Sequence, residues 1–251
     1  MLPTPRALLL DFGGVIADAP EDPHWSSAVV EAVTEALAAA GVAPLPPEQI
    51  IAPLTADNHA ADLFWQSDAP LQRDHASYWR EVVGASWPAA ARDAVARHGC
   101  ALSRRLMEAR YAAGWQLRPG MARLLADADS RGMPMAVVSN TLSGAVHRDF
   151  LARIGVARHF TAQLYSDEEG VRKPNPAIAE RAVDALGVEP AGCWFVGDTL
   201  TRDVLVARRA GLGAAVLMRS ERAERPPHPD VTPDAVVADP VELHALVSTH
   251  W

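Results

Sequence analysis

Short, continuous runs of apolar residues recur along the chain and are separated by segments whose apolar positions repeat at helical spacing. The runs have the length of buried strands and lie at residues 7–10, 133–138, 193–196, 214–218 and, more weakly, 235–237. The helical segments lie at residues 121–131, 176–186, 202–210 and 240–247. Strands that alternate with helices predict an α/β fold, in which helices cover both faces of a parallel sheet.

Residues 20–115 have a different pattern, because they contain no strand-like run. Helices are predicted at residues 26–40, 47–54, 57–65, 74–83 and 89–111, the first capped by Ser26 and ended by Gly41. Five of the seven tryptophans lie in this region, and their helical spacing favours a small bundle core over a substrate pocket. We therefore expect a three-layer Rossmann-like core, built from residues 1–19 and 116–251, with an inserted all-helical cap at residues 20–115.

The composition disfavours several classes of partner. The 251-residue chain has a formal net charge of −8, which repels the phosphates of nucleic acids and of anionic membranes. The first apolar run is too short for a secretory signal, and no segment has the length of a membrane span. Cys100 and Cys193 cannot form a disulfide framework and lie in no paired metal motif, as expected for a reduced, cytoplasmic protein.

Acidic residues follow the predicted strands at one edge of the sheet. Asp11 ends the first strand, and Asp198 and Asp203 lie just after the third. The carboxyl ends of parallel strands form the ligand-binding edge of open α/β sheets, so we expect these carboxylates to meet there around a hard cation such as Mg²⁺. Lys173 and Ser139 add a positive charge and a hydroxyl suited to phosphate. This set favours attack by the Asp11 carboxylate on phosphorus.

Four segments, in order, resemble the four motifs of the haloacid dehalogenase (HAD) superfamily. They are residues 9–18 (LLDFGGVIAD), 137–141 (VVSNT), 173–176 (KPNP) and 197–203 (GDTLTRD). Each falls at a predicted strand end or in the loop that follows, which is the context that the motifs require. The resemblance covers nearly the whole chain and implies the phosphatase branch of the superfamily, whose helical C1 cap corresponds to residues 20–115.

The resemblance also implies a role for particular residues. Asp11 corresponds to the nucleophile, and Ser139 and Lys173 to the catalytic residues that hold the phosphoryl group, with Asn140 beside them in the substrate site. The implied Mg²⁺ ligands are the Asp11 carboxylate and the Gly13 carbonyl of the first motif and Asp198 of the fourth. Asp203, also of the fourth motif, would bind the cation directly or through another group. The implied substrate is a small phosphorylated metabolite, and the sequence leaves its identity and the oligomeric state open.

Gly13 departs from the family pattern. Phosphatases of this superfamily usually carry an aspartate two residues after the nucleophile, where it donates and accepts the proton; Gly13 keeps only the backbone carbonyl. General acid–base catalysis is worth about 10²- to 10⁴-fold in rate, so another group must supply it. Asp18 and His24 are candidates because they are close to Asp11 in sequence, and a cap residue or the substrate itself is the alternative. The missing aspartate also disfavours a phosphomutase.

Two alternative functions remain open. One is a catalytically weak HAD-like protein that binds a phosphorylated ligand, and Gly13 is its main support. The other is a 2-haloacid dehalogenase, in which Asp11 would attack carbon. Dehalogenases of the superfamily work without metal and lack an acid at the start of the fourth motif, so Asp198 favours a phosphatase.

Overall fold

Six parallel strands form the central sheet of the structure, a computed structural model that describes residues 2–55, 69–220 and 231–250. The strands of this sheet are Ala7–Leu10 (β1), Met135–Ser139 (β4), Ala162–Tyr165 (β5), Cys193–Gly197 (β6), Ala214–Met218 (β7) and Ala235–Val237 (β8). They lie in the order β5-β4-β1-β6-β7-β8. A separate antiparallel pair consists of Ala17–Asp18 (β2) and Gln116–Leu117 (β3).

The helices fall into two groups, separated by β3. Before β3 lie Trp25–Ala39 (α1), Pro47–Thr55 (α2), His75–Ser77 (α3), a π-helical turn at Tyr78–Val83, Ala89–Arg97 (α4) and Gly99–Arg110 (α5). After β3 lie Met121–Ser130 (α6), Gly144–Arg153 (α7), Ser166–Glu169 (α8), Pro176–Leu186 (α9), a π-helical turn at Leu200–Val204, Leu205–Arg209 (α10) and Pro240–Ser248 (α11). Single 3₁₀ turns occur at Ala157–His159 and Pro190–Gly192.

Successive side chains of β1 point into two different apolar layers. Leu8 packs in the layer that contains Leu124 of α6, whereas Leu9 packs in the layer that contains Ile178 of α9. All the β1 side chains are fully buried, as expected for a central parallel strand with helices on both faces. The predicted α/β fold with a Rossmann-like parallel sheet is thereby confirmed.

The helices of residues 25–110 bury an apolar cluster of their own. Trp25, Trp79 and Trp87 belong to this cluster, which agrees with their predicted place in a bundle core. The indole N–H of Trp79 donates to Ser103 Oγ at 3.0 Å, so its polar atom is satisfied where the ring is fully buried. Trp115 packs instead in a layer against the sheet. The cap boundaries at residues 20 and 115 stay a prediction.

A segment of the insert is attached to the loop that carries Lys173. Residues 70–72 run antiparallel to residues 170–172, and the backbone N–H of Gln72 donates to the carbonyl of Gly170 at 3.0 Å. The insert is therefore bound to the sheet domain by backbone pairing as well as by the two chain connections near β2 and β3.

Several predicted elements were wrong in their bounds or number. Residues 89–111 form two helices rather than one, because the chain bends at His98. The start of α5 packs closely against α3: a Cβ on Gly99 would lie 2.7 Å from the His75 backbone, so this position needs a glycine. Ser26 does not cap α1, which begins at Trp25 after a residue with no side-chain capping bond.

Other elements were missed. The edge strand β5 was not predicted, because its sequence AQLY lacks a continuous apolar run. The helix α7, which follows β4, was missed as well. The helix predicted at residues 57–65, with Trp65, lies outside the described residues. Within the described part of the chain, no helix is both long and apolar enough to span a membrane.

We predict that Leu9→Ala destabilises the protein by about 2–5 kcal/mol, because the substitution opens a cavity at the centre of the sheet where no solvent can enter. Urea unfolding followed by circular dichroism measures the change. Val236→Ala is the matched control: this side chain is 49% exposed, and we expect a change within about 0.5 kcal/mol. Equal losses in both variants would contradict the assignment of Leu9 to the core.

Candidate active site

The side chain of Lys173 lies between two carboxylates at the carboxyl edge of the sheet. Its Nζ is 2.8 Å from Asp11 Oδ1 and 2.6 Å from Asp203 Oδ1. The lysine is 2% exposed, so almost all of its charge is balanced by these contacts rather than by water. Asp11 follows β1 directly, Asp203 lies in the turn after β6, and Lys173 comes from the loop before α9. The sheet edge therefore brings three of the four sequence motifs into contact.

Asp203 is held by hydrogen bonds through both of its oxygens. Oδ1 accepts from Lys173, while Oδ2 accepts from the Thr199 N–H at 2.9 Å, from Thr199 Oγ1 at 2.6 Å and from the Asp198 N–H at 3.2 Å. A Cβ on Gly197 would lie 2.0 Å from the Asp203 Cβ, so only glycine lets this carboxylate fold back over the strand end. Asp203 thus fixes the turn that carries Asp198 and the position of the Lys173 ammonium.

Asp198 presents an oxygen that is buried without a protein donor. Its Oδ2 accepts from Ser220 Oγ at 2.8 Å, whereas Oδ1 is buried and has no hydrogen-bond partner among the described residues. Gly14, with a φ of +80°, allows this approach, because a Cβ there would lie 2.1 Å from Asp198 Oδ2. A buried carboxylate oxygen without a donor is costly unless a ligand completes it.

Asn140 holds the backbone of Lys173 in place. Its side-chain amide donates to the Lys173 carbonyl at 2.9 Å, and its Oδ1 accepts from the Lys173 N–H at 2.8 Å. This pair of bonds ties the loop after β4 to the loop before α9. Ser139, at the end of β4, is 3% exposed and lines the same cavity as Asp11. Asn140 therefore positions the Lys173 backbone, a contact that the motif resemblance did not indicate.

A cavity of about 200 Å³ opens above these side chains, between the sheet edge and the insert. Its wall brings together residues from both parts of the chain: Asp11, Gly13, Met107, Tyr111, Trp115, Ser139, Asn140, Thr141, Leu142, His147, Arg172, Lys173 and Arg202. The insert contributes Met107 and Tyr111 from the end of α5, and His147 of α7 stacks on Phe12 with ring centroids 3.8 Å apart. The predicted site residues on the sheet side thus share one cavity with a wall from the insert.

The structure separates other sequence candidates from this cavity. Asp18 accepts from the Gly14 N–H at 3.1 Å and pairs with Arg118 at 3.3 Å, and neither Asp18 nor His24 is among the described residues of the cavity wall. Arg104 of the insert also points elsewhere, since it pairs with Asp149 of α7 at 2.7 Å. The role of Asp18 or His24 as proton donor stays a prediction.

The sequence interpretation missed two arginines and a threonine at the site. Arg172 and Arg202 line the cavity, and Thr199 binds Asp203. Each lies directly beside or within a motif, next to Lys173, Asp203 and Asp198 respectively. Their adjacency to the motifs was visible, but which way a loop side chain points could not be inferred from the residue order.

The buried charges shift one another's pKa values. Burial raises the pKa of Asp198 to about 7, and the charges of Asp203 and Asp11 add to that shift. Burial also raises the pKa of Asp11, although the Lys173 ammonium opposes the change. Burial acts against the charge of Lys173, but Asp11 and Asp203 outweigh it and raise the pKa of that ammonium. The three carboxylates therefore outnumber the positive charges of Lys173 and the nearby Arg202, and a cation would relieve the remaining repulsion.

The donor set fits a hard divalent cation. One carboxylate oxygen each from Asp11, Asp198 and Asp203 lies within 4.8 Å of the others, and all three residues are buried. Carboxylate and carbonyl oxygens are the ligands that Mg²⁺ takes in proteins, usually together with water. The partnerless Asp198 Oδ1 provides a coordinating atom, whereas both oxygens of Asp203 are already engaged by donors.

A sequence model of the family described as "haloacid dehalogenase-like hydrolase" matches residues 5–211. The chain belongs to this family. The match covers the four motifs and the insert between the first and second, so the HAD-like hydrolase identity predicted from the motifs is confirmed.

Relatives of this HAD-like hydrolase include proteins named as phosphatases. Phosphoserine phosphatase of Thermus thermophilus is 36% identical over 125 residues, which are 50% of this chain and 49% of that protein. Glyceraldehyde 3-phosphate phosphatase of Methanopyrus kandleri is 37% identical over 98 residues, which are 39% of this chain and 42% of that protein. The chain thus spans about half the length, or less, of these two relatives.

A solved structure shares the fold of the HAD-like hydrolase over nearly its full length. The HAD-hydrolase YfnB of Bacillus subtilis, bound to magnesium, aligns with a TM-score of 0.63 at 18% identity, covering 98% of this chain and 99% of that one. At this identity the likeness shows the fold alone, and the chemistry has to be argued from the residues.

We predict that Asp198→Asn stabilises the metal-free HAD-like hydrolase at pH 8 by about 1–4 kcal/mol, the range that a pKa rise from 3.8 to about 7 allows. Because the folded-state pKa is raised, the stability that Asp198 contributes is full below pH 4 and is lost as the pH rises through 7. Urea unfolding in EDTA at pH 5 and pH 8 measures the effect.

The matched control for this prediction is Asp93→Asn, since Asp93 is 46% exposed in an ion pair of the insert. Its stability should change little between the two pH values. A loss of stability at pH 8 in Asp198→Asn would show that the buried carboxylate is not under electrostatic strain.

Proposed function

We propose that the chain is a Mg²⁺-dependent phosphatase that hydrolyses a small phosphomonoester through an aspartyl-phosphate on Asp11. The observation that carries the proposal is the position of Asp11, which lies in a cavity beside a buried ammonium and a carboxylate cluster suited to a divalent cation. The phosphatase names of the two curated relatives support the same reaction class. The substrate is a small phosphorylated metabolite.

The two oxygens of Asp11 have different roles in this proposal. Oδ1 accepts from both the Phe12 N–H and Lys173 Nζ, each at 2.8 Å, and these bonds reduce its nucleophilicity. We assign the attack on phosphorus to Oδ2. The bond from phosphorus to the leaving oxygen breaks as the aspartyl-phosphate forms, and water then attacks phosphorus and releases inorganic phosphate and free Asp11.

The remaining residues hold the phosphoryl group and the charge around it. Lys173 and Ser139 lie where phosphate oxygens would be held, and Asn140 keeps the Lys173 backbone in place. We assign the cation to Asp11, the Gly13 carbonyl and Asp198, with Asp203 orienting Asp198 and Lys173. When bound, Mg²⁺ offsets the repulsion between the carboxylate and the phosphoryl oxygens.

The insert would exclude water and contact the leaving group, since Met107, Tyr111 and Trp115 form one wall of the cavity. Gly13 supplies no proton donor, and neither Asp18 nor His24 is a described residue of the cavity wall. The cytoplasmic setting and the absence of nucleic-acid and membrane partners stay predictions from composition.

We predict that Asp11→Asn retains the fold and loses phosphatase activity by about 10³-fold or more, because an amide oxygen is a poor nucleophile. Release of inorganic phosphate from a panel of phosphomonoesters in Mg²⁺, with circular dichroism as the folding control, measures both properties. Asp239→Asn, at the start of α11, is a control carboxylate outside the cavity. Wild-type activity in Asp11→Asn would refute the nucleophile.

We predict that EDTA abolishes phosphate release and that added Mg²⁺ restores it, because the negative cluster repels a phosphoryl dianion without a cation. Halide release from a 2-haloacid that persists in EDTA would instead support the dehalogenase alternative. If no phosphomonoester is turned over but several raise the melting temperature, the ligand-binding alternative is supported.

A further inference from the structure

The cavity wall contains two guanidinium groups in addition to the Lys173 ammonium. Arg172 and Arg202 come from different loops, before α9 and after β6 respectively, and both line the cavity that contains Asp11. With Lys173 and a divalent cation balancing the three aspartates, these arginines give the cavity a net positive charge. The chain as a whole has a net charge of −8, so the positive charge is local to this cavity.

Arg172 and Lys173 are adjacent in sequence but their charged ends contact different parts of the site. Lys173 Nζ reaches Asp11 at 2.8 Å, whereas Arg172 Nη1 donates to Gln72 Oε1 at 3.3 Å. Gln72 belongs to the insert segment that runs along the Lys173 loop, and its Oε1 also accepts from Ser166 Oγ at 3.0 Å. Arg172 is thus directed towards the insert, where the leaving group of a substrate would lie.

Arg202 faces the cavity from the opposite loop. Its Nε donates to Thr199 Oγ1 at 3.3 Å, which places the guanidinium beside the turn that holds Asp198 and Asp203. Burial, together with the positive charge of Arg202, lowers the pKa of Arg172 to about 9. Two mutually repelling guanidiniums in one small cavity are stabilised when an anion lies between them, because arginine binds oxyanions with paired N–H donors.

We propose that Arg172 and Arg202 form a second anion subsite, which selects phosphomonoesters whose leaving group carries another oxyanion, either a carboxylate or a second phosphate. The inference rests on the proposed function, since it specifies the substrate class of the same cavity. The phosphoryl group that reacts has its own partners in Ser139, Lys173 and the cation.

The test compares kcat/KM for three probes that share a two-carbon leaving group: phosphoglycolate, hydroxyethyl phosphate and ethanediol bisphosphate. The wild type should prefer at least one doubly anionic probe over hydroxyethyl phosphate by about 10-fold or more, the usual effect of a charge-assisted hydrogen bond. Arg202→Met should reduce that preference by about 10-fold. The better of the two charged probes identifies carboxylate or phosphate as the second oxyanion.

Arg172→Gln should also reduce the preference for doubly anionic probes, whereas Arg172→Lys should keep part of that preference because it keeps the positive charge. A purely structural role for Arg172 would not produce this difference between the two variants. The control is Arg123→Met, because the Arg123 side chain is 78% exposed and lies outside the cavity wall described here. It should keep the wild-type preference. Equal losses on all three probes in Arg202→Met would overturn the proposal and assign the arginine to the reacting phosphoryl group.

The same experiment separates failure of the inference from failure of the proposed function. If the wild type hydrolyses the probes without preference, the phosphatase stands and the second subsite is refuted. If neither these probes nor the wider panel of phosphomonoesters is hydrolysed, the proposed function fails, and the shift in melting temperature with phosphoglycolate and with hydroxyethyl phosphate decides the subsite. The subsite is supported if phosphoglycolate raises the melting temperature more than hydroxyethyl phosphate does and Arg202→Met removes the difference. Equal shifts with the two ligands refute the subsite.

Discussion

The buried ammonium of Lys173 is the interaction on which the site depends. A lysine so far from solvent is stable as a cation only while its carboxylate partners remain in place, and removing one partner of such a pair commonly costs about 3–5 kcal/mol. The surrounding contacts keep the pair aligned. Asn140 fixes the backbone of the lysine, Thr199 fixes Asp203, and Asp11 is held at the end of the central strand. The bonds between Asn140 and Lys173 join two loops that are distant in sequence, whereas Thr199 and Asp203 belong to the same turn.

This arrangement leaves the site electrostatically incomplete. Three buried carboxylates lie around the Lys173 ammonium, and the pKa of Asp198 is raised first by burial and then by the charges of Asp203 and Asp11. The protein therefore stores repulsion at the sheet edge, where a cation and a phosphorylated ligand would together relieve it. Gly14 and Gly197 make this crowding possible, since any larger residue would occupy the space of Asp198 or Asp203. The crowded carboxylates destabilise this edge of the sheet locally, and the same crowding prepares the site to bind charged groups.

The sequence predicted the parts of the fold that depend on strong local patterns. The central strands are continuous apolar runs, and α9 has an Asn175 cap, a proline in its first turn and a glycine at its end, so its bounds were predicted to the residue. The edge strand β5 is half polar and is stabilised by pairing with β4, a tertiary effect that no local pattern reveals. The break between α4 and α5 likewise depends on packing against His75.

The candidate site was predictable where motifs fix residue types at strand ends, and unpredictable where it depends on the direction of loop side chains. Asp11, Ser139 and Lys173 meet as expected, since parallel strands end at one edge. The two arginines of the cavity, and the bonds from Asn140 to the Lys173 backbone, depend on loop conformation. Proximity along the chain pointed to Asp18 and His24, and neither is among the described residues that line the cavity.

The backbone pairing between residues 70–72 and 170–172 affects how the insert can move. An insert joined only by its two chain connections could swing as a free lid. Here, a swing that displaced Gln72 would either break its bond to Gly170 or pull on the loop that leads to Lys173. Opening the cavity and loosening the buried ammonium are thus mechanically linked, so the enzyme would be least organised for chemistry at the moment when ligands exchange.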